Sequence, residues 1–239
     1  RAASEAVGWC LEHLEMFLWF NPWPATTLAI VLPALAYGGL RLAIFTLVGV
    51  MFWGMVDMWD PAMSTLSLMT VSVVISVVIG VAVGVVSSQN DRFEAIVKPI
   101  LDTMQTMPAF VYLIPAIFFF GIGGPSATMA IIIYAMPPAV RLTSLGIRQV
   151  PAETIEAAQS FGSTPRQVLW KVQIPQALPS IMLGINQTIM MALGLAVLAT
   201  FIGAGGLGEE VWKALRKLRV GWSLEGGLSI VFMALIFDR

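Results

Sequence analysis

Charge is scarce in this chain. Of 239 residues only 11% are Asp, Glu, Lys or Arg, and the formal net charge is −1. A soluble domain carries roughly 25% charged residues. Without a positive balance, nothing points to a nucleic-acid partner. Cysteine is almost missing: Cys10 stands alone, which excludes an intrachain disulfide. His13 is the single histidine, so no metal site is expected. No Gly-x-x-x-x-Gly-Lys-[Ser/Thr] run occurs, so the chain does not bind ATP through a phosphate-binding loop. No His/Asp/Ser or metal constellation supports an intramembrane enzyme, and no catalytic residue is assigned.

What the chain has instead is apolar length. Hydrophobic residues make up 58% of it, and several windows exceed the roughly 20 residues needed to cross a bilayer. The fold class is an all-α polytopic membrane protein with about seven transmembrane helices. The spans fall near 25–40, 42–56, 62–88, 103–120, 126–140, 178–202 and from 224 onward. The first two are short, and a re-entrant hairpin is the lesser alternative for the pair. Ahead of them, residues 1–23 read as an amphipathic helix. Val7, Leu11, Leu14 and Leu18 share one face, with Glu5, Glu12 and Glu15 elsewhere. Trp9, Trp19 and Trp23 suit a membrane interface. The chain starts without Met and ends inside the apolar run 228–237, so it reads as trimmed at both ends, with no visible signal peptide.

One polar island interrupts the spans. Residues 151–175, PAETIEAAQSFGSTPRQVLWKVQIP, carry Glu153, Glu156, Arg166 and Lys171. Such a segment cannot sit in lipid and must lie in water or against a partner. Pro151 suits the first position of a helix. Glu153 and Glu156 lie where the helix dipole favours negative charge. Gly162 suits a left-handed terminating turn. Thr164, Pro165 and Gln167 then form a capping box opening a second helix, which Pro175 and Pro179 end or lead into the next span. The expectation is two short helices hinged at Gly162.

The four best-defined spans contain no Asp, Glu, Lys, Arg or His in their interiors. A proton-coupled carrier places an ionisable relay there, so energy is expected from outside the chain. Pro108 and Pro115 break the hydrogen-bond ladder of the fourth span.

The island also carries a resemblance. Glu156-Ala157-Ala158, three residues, Gly162, nine residues, then Val172-x-Ile174-Pro175 resembles the EAA loop of permease subunits of ABC importers. Val172 stands where that pattern has Ile, and Ile174 where it has Leu. Residues 101–113 (LDTMQTMPAFVYL), 137–143 (PPAVRLT), 146–151 (GIRQVP), 184–188 (GINQT) and 203–208 (GAGGLG) are similar to the betaine-importer permeases. The resemblance covers the chain from about residue 65 to its end.

The resemblance implies a type I ABC importer (MetI-like) permease fold. Residues 1–61 would form N-terminal amphipathic and scaffold helices, and 62–239 a five-helix core with a cytoplasmic coupling loop at 149–176. It implies transport of glycine betaine or proline betaine by alternating access. Choline, carnitine, trimethylamine oxide or an amino acid are alternative cargoes, and a non-transporting scaffold or sensor is another class. Implied partners are a second permease copy, two ATP-binding subunits that carry ATP and Mg, an external substrate-binding protein, and the lipid bilayer. It also implies the bacterial inner membrane, N-terminus outside and C-terminus cytoplasmic.

In that frame Glu153, Glu156, Ala157, Ala158, Gly162 and Arg166 would contact the ATPase. Arg148, Arg166 and Lys171 could pair with its acidic residues or with lipid headgroups. Pro108, Phe110 and Tyr112 either line the pore, where aromatic faces suit a quaternary ammonium, or pack and anchor. Asn186 and Gln187 either bond a neighbouring helix or face the path. Residues 203–208 are a gate hinge or a tight turn. The basic outer segment 209–219 runs against the positive-inside rule, and its Lys213, Arg216 and Lys217 would meet the binding protein.

Overall fold

The computed structural model describes residues 2–20 and 23–238, with side chains from residue 7 onward, so Glu5 lies outside the described side chains. No strand occurs among the described residues. The chain runs through α1 (Ala2–Phe20), α2 (Trp23–Met55), α3 (Trp59–Gln89), α4 (Asp91–Thr106), α5 (Phe110–Phe120) and α6 (Gly124–Arg148). It continues through α7 (Ala152–Ser160), α8 (Pro165–Val168), a π-turn (Leu169–Gln173), α9 (Ile174–Leu198), a 3₁₀ turn (Ala199–Ile202), α10 (Leu207–Arg216) and α11 (Val220–Phe237).

Five helices are long and apolar enough to cross a membrane, or six if α4 and α5 are taken as one broken span. Against the expected seven, the first two spans fall within the kinked element α2, and the fourth is corrected. The segments 25–40 and 42–56 lie in α2 as two helical stretches that meet at a kink at Gly39 (φ 74°, ψ −175°), within two residues of the expected boundary. That backbone conformation is open essentially to glycine alone. The fourth span is not one helix from 103 to 120. It divides at Met107–Ala109, and α4 reaches back to Asp91. Asn90 caps α4, its side chain accepting from the N–H groups of Arg92 and Phe93.

Two compact units form along the chain. The first comprises Arg1–Val73, Ala109–Ile132 and Ile189–Arg239, the second Val74–Pro108 and Ile133–Thr188. In the first, α1 behaves as its pattern predicts: Val7 and Leu11 are buried, Leu14 and Leu18 half-buried. Glu15 accepts a 2.6 Å hydrogen bond from the Ser64 hydroxyl of α3. Helix α11 lies on α2. Gly49 admits Phe232 and Ile236 at close range, and buried Trp53 donates its indole N–H to the Ser229 carbonyl at 3.2 Å. The start of α10 is capped from a distance. Its N-cap, Gly206, has no side chain, and the Leu207 N–H donates to Thr65 Oγ1 of α3 at 2.8 Å.

In the second unit, α6 is gripped on two sides by small residues. Gly80 and Gly84 of α3 face Ala139 and Thr143 of α6. Gly146 of α6 faces Ala177 and Ser180 of α9, and Gly184 of α9 faces Leu142 and the Pro138 carbonyl. Small residues let helix backbones approach closely where dispersion, not water, drives association. Ile147, Ala177 and Ile181 form a buried cluster, flanked by Val81, Val85, Leu169, Ile174 and Ile185.

Candidate functional site: the polar loop, its anchor and the aromatic cluster

The loop follows its sequence grammar closely. Pro151 is the N-cap of α7 rather than its first residue (φ −56°, ψ 134°). Its fixed φ serves an extended entry as well as a helical start. Glu153 lies in the first turn. At the far end the Gly162 N–H donates to the Gln159 carbonyl at 2.8 Å and the Ser163 N–H to Ala158 at 3.1 Å, with Gly162 at φ +82°. This is a Schellman termination. Thr164 and Gln167 then satisfy each other's backbone N–H groups, with Pro165 at the first helical position.

The second helix, however, is not short. It passes from α8 through the π-turn into α9, a single run from Pro165 to Ile202. Pro175 does not end it. The Ile174 N–H reaches the Leu169 carbonyl in π register, and such a local widening accommodates a proline within a continuing helix. The loop is therefore rooted directly in a membrane-spanning helix.

No residue of α7 is buried. Glu153, Glu156 and Ala157 are exposed and Ala158 is half-buried; Arg166 and Lys171 are exposed, with no ionic partner among the described residues. Two contact-ready side chains went unremarked in the sequence reading, Phe161 (91% exposed) and Trp170 (59%). Large aromatics inside a polar island were the available signal.

The loop's entry is pinned by ions. Arg148, three residues before Pro151, donates to Asp91 at 2.7 Å, to the Ser87 carbonyl at 2.8 Å, and pairs with Glu94 at 2.8 Å. One guanidinium thus ties α6 to the end of α3 and the start of α4. A second pair, Arg141–Asp102, joins α6 to α4 further along. Arg148, read as a cation for a partner, is occupied within the chain. Arg148→Ala should lower the stability of the detergent-purified protein by about 1–3 kcal/mol, because Glu94 is largely buried and loses its closest cation. Thermal unfolding against wild type checks this, and Arg148→Lys should recover only part of the loss, since lysine lacks the fork that serves three acceptors.

The residues read as a substrate path divide between the units. Pro108, Asn186 and Gln187 belong to the second, Phe110 and Tyr112 to the first. Tyr112 is buried at 9% exposure, whereas Phe110 is 49% exposed. Asn186 is half-buried and Gln187 exposed. Phe110 meets Phe201 in a tilted pair with ring centres 5.6 Å apart, and Phe201 meets Trp212 edge-on at 4.9 Å. Neither Phe201 nor Trp212 was singled out from the sequence.

In α10, the Lys213 ammonium lies 2.9 Å from both Glu209 and Glu210. Those hydrogen bonds, Glu210 first, raise its pKa above the ordinary lysine value. Arg216 and Lys217 are exposed, and Lys217 stands 5.3 Å from the Trp222 ring centre. No cluster of metal-binding side chains occurs among the described residues.

Long apolar helices joined by a rooted, capped, exposed polar loop define a multi-spanning membrane protein. The family model described as "Binding-protein-dependent transport system inner membrane component" matches residues 76–238, and the chain belongs to that family. It is 50% identical over 218 residues to the glycine betaine transport system permease protein OpuAB of Bacillus subtilis, covering 90% of this chain and 77% of that protein. It is 42% identical over 233 residues to the glycine betaine/proline betaine permease ProW of Escherichia coli, covering 98% of this chain and 66% of that one, just under two thirds of its length. The structure resembles a chain of the MetNI methionine ABC transporter in an inward-facing conformation (TM-score 0.67, 24% identity, 73% of this chain and 88% of that one), which establishes the type I permease fold.

Proposed function

We propose that this chain is the membrane-spanning subunit of an ATP-driven importer that moves a quaternary ammonium osmolyte of the glycine betaine and proline betaine class. The reading is carried by the exposed, rigidly terminated helix α7, with Glu156-Ala157-Ala158 on its surface and its exit rooted in a spanning helix. The relationship to glycine betaine permeases supports the cargo. In this reading two copies form the pore. Residues 62–239 are the core, 1–61 the scaffold, and 149–176 the coupling loop. Two ATPase subunits hold ATP and Mg and carry out hydrolysis, so this chain has no enzymatic step.

Glu153, Glu156, Ala157, Ala158, Gly162 and Arg166 face the ATPase, and Phe161 adds an apolar anchor. The small side chains at 157 and 158 let the helix seat closely. When the ATPases close, α7 moves with them. The continuous helix from Pro165 to Ile202 carries that displacement into the membrane, because a helix transmits force along its axis. The chain resides in a bacterial inner membrane, N-terminus outside and C-terminus in the cytoplasm. Arg216 and Lys217, with Lys213 charge-balanced beside them, meet an external binding protein. Pro108, Phe110, Tyr112, Asn186 and Gln187 flank the route of the cargo.

The test is uptake of labelled glycine betaine into vesicles holding the permease, its ATPase and the binding protein. Uptake is expected only with ATP and binding protein together. Uptake that survives ATP depletion but collapses with the proton gradient would overturn the reading. Competition by proline betaine, choline, carnitine and trimethylamine oxide then ranks the cargo.

A further inference from the structure

We propose that Phe110, Phe201 and Trp212 form a transient binding site for a quaternary ammonium group within the permease itself. This rests on the proposed cargo and adds where the permease holds it. Two of the three rings sit at breaks in regular structure, and the third lies inside the helix that follows the second break. Phe110 opens α5 directly after the break at Met107–Ala109, Phe201 lies in the 3₁₀ turn that ends α9, and Trp212 lies in α10 beyond the glycine run 203–206. In a membrane protein, irregular backbone is tolerated where it is buried in protein or lines a water-filled cavity, and broken helices mark the binding sites of transporters.

The rings touch in series, Phe110 to Phe201 at 5.6 Å and Phe201 to Trp212 at 4.9 Å. They are not sealed into a core. Phe110 is 49% exposed, Phe201 50% and Trp212 38%, so each keeps accessible surface for a ligand. A quaternary ammonium offers no hydrogen-bond donor, and the attraction it can make is to the negative face of an aromatic ring. Unlike lysine, it is weakly hydrated and loses little on leaving water. The neighbouring charge does not oppose it: Lys213 is paired with both Glu209 and Glu210 at 2.9 Å, two carboxylates to one ammonium. Arg216, one turn beyond Trp212, is exposed. The cluster holds no acid of its own, so binding is weak, as a translocation site requires if the cargo is to leave.

The experiment replaces Phe110, Phe201 and Trp212 singly with mono-, di- and trifluorinated analogues, in the reconstituted complex with ATPase and binding protein. Fluorine withdraws charge from the ring face while preserving its shape. The ATP-driven glycine betaine uptake rate is expected to fall in steps with each added fluorine, by about two- to fivefold for the most fluorinated ring. A flat series would overturn the proposal, as would a single drop that ignores fluorine number and so reports packing. If wild-type complex shows no ATP-driven betaine uptake, the proposed cargo falls and the site with it, a result distinct from a flat series in an active transporter. Phe201→Leu and Trp212→Leu should slow uptake at least as much, and normal uptake by both would also sink the site.

Discussion

Gly162→Val is expected to reduce ATP-driven uptake on the order of tenfold while leaving the protein folded in the membrane, and Gly162→Asn to stay within about twofold of wild type. The difference isolates the backbone. Gly162 sits at φ +82°, and a Cβ built there meets no atom within 4 Å. Valine therefore fails through conformation, not collision. A left-handed residue costs roughly 1–2 kcal/mol for an ordinary L-amino acid, more for a β-branched one, and least for asparagine. The Schellman bonds from Gly162 and Ser163 are lost when that turn relaxes, and α7 then loses its fixed angle to Pro165. Equal uptake by both variants would separate the turn from coupling.

Gly84→Leu is expected to abolish the folded protein, and Gly84→Ala to destabilise it by about 1–3 kcal/mol. A Cβ at Gly84 would lie 2.6 Å from the Thr143 Cβ and 2.7 Å from the Val140 carbonyl oxygen. A backbone oxygen cannot rotate aside, so α6 itself must shift. Gly80, one turn earlier, meets the Ala139 Cβ at 2.7 Å, and the two glycines together hold α3 against α6. Gly194→Ala is the control. It lies in α9 with nothing within 4 Å of its Cβ, and alanine there should leave stability unchanged or raise it by up to about 1 kcal/mol through helix propensity. Thermal unfolding in detergent reads all three. Matching transitions for Gly84→Ala and Gly194→Ala would mean that the close approach of α3 and α6 does not limit stability.

Local signals were legible where the chain itself supplies the partner. The capping box at Thr164 and Gln167 and the glycine turn at 162 lie within a few residues of the groups they satisfy, so residue type and spacing suffice. The face of α1 was readable for the same reason, since Val7, Leu11, Leu14 and Leu18 repeat with the helix. Hydropathy located the spans, and Pro108 marked the interruption of the fourth, where the uncharged run 103–120 gives no polarity signal for the stop at Met107. In α2 the boundary expected between residues 40 and 42 is a kink at Gly39, where the backbone leaves the helical region.

By itself the sequence determined that the chain is membrane-spanning and that one capped polar loop interrupts its apolar spans. Those properties follow from composition and from contacts between near neighbours. Only the tertiary structure decided that Arg148 is spent on Asp91 and Glu94, that Gly80 and Gly84 seat α6, that α8 and α9 are one helix, and that Phe110 meets Phe201 and Trp212. Each depends on groups far apart in the chain or on backbone geometry. An arginine, a glycine or a phenylalanine has many such partners open to it, and folding alone selects which it meets.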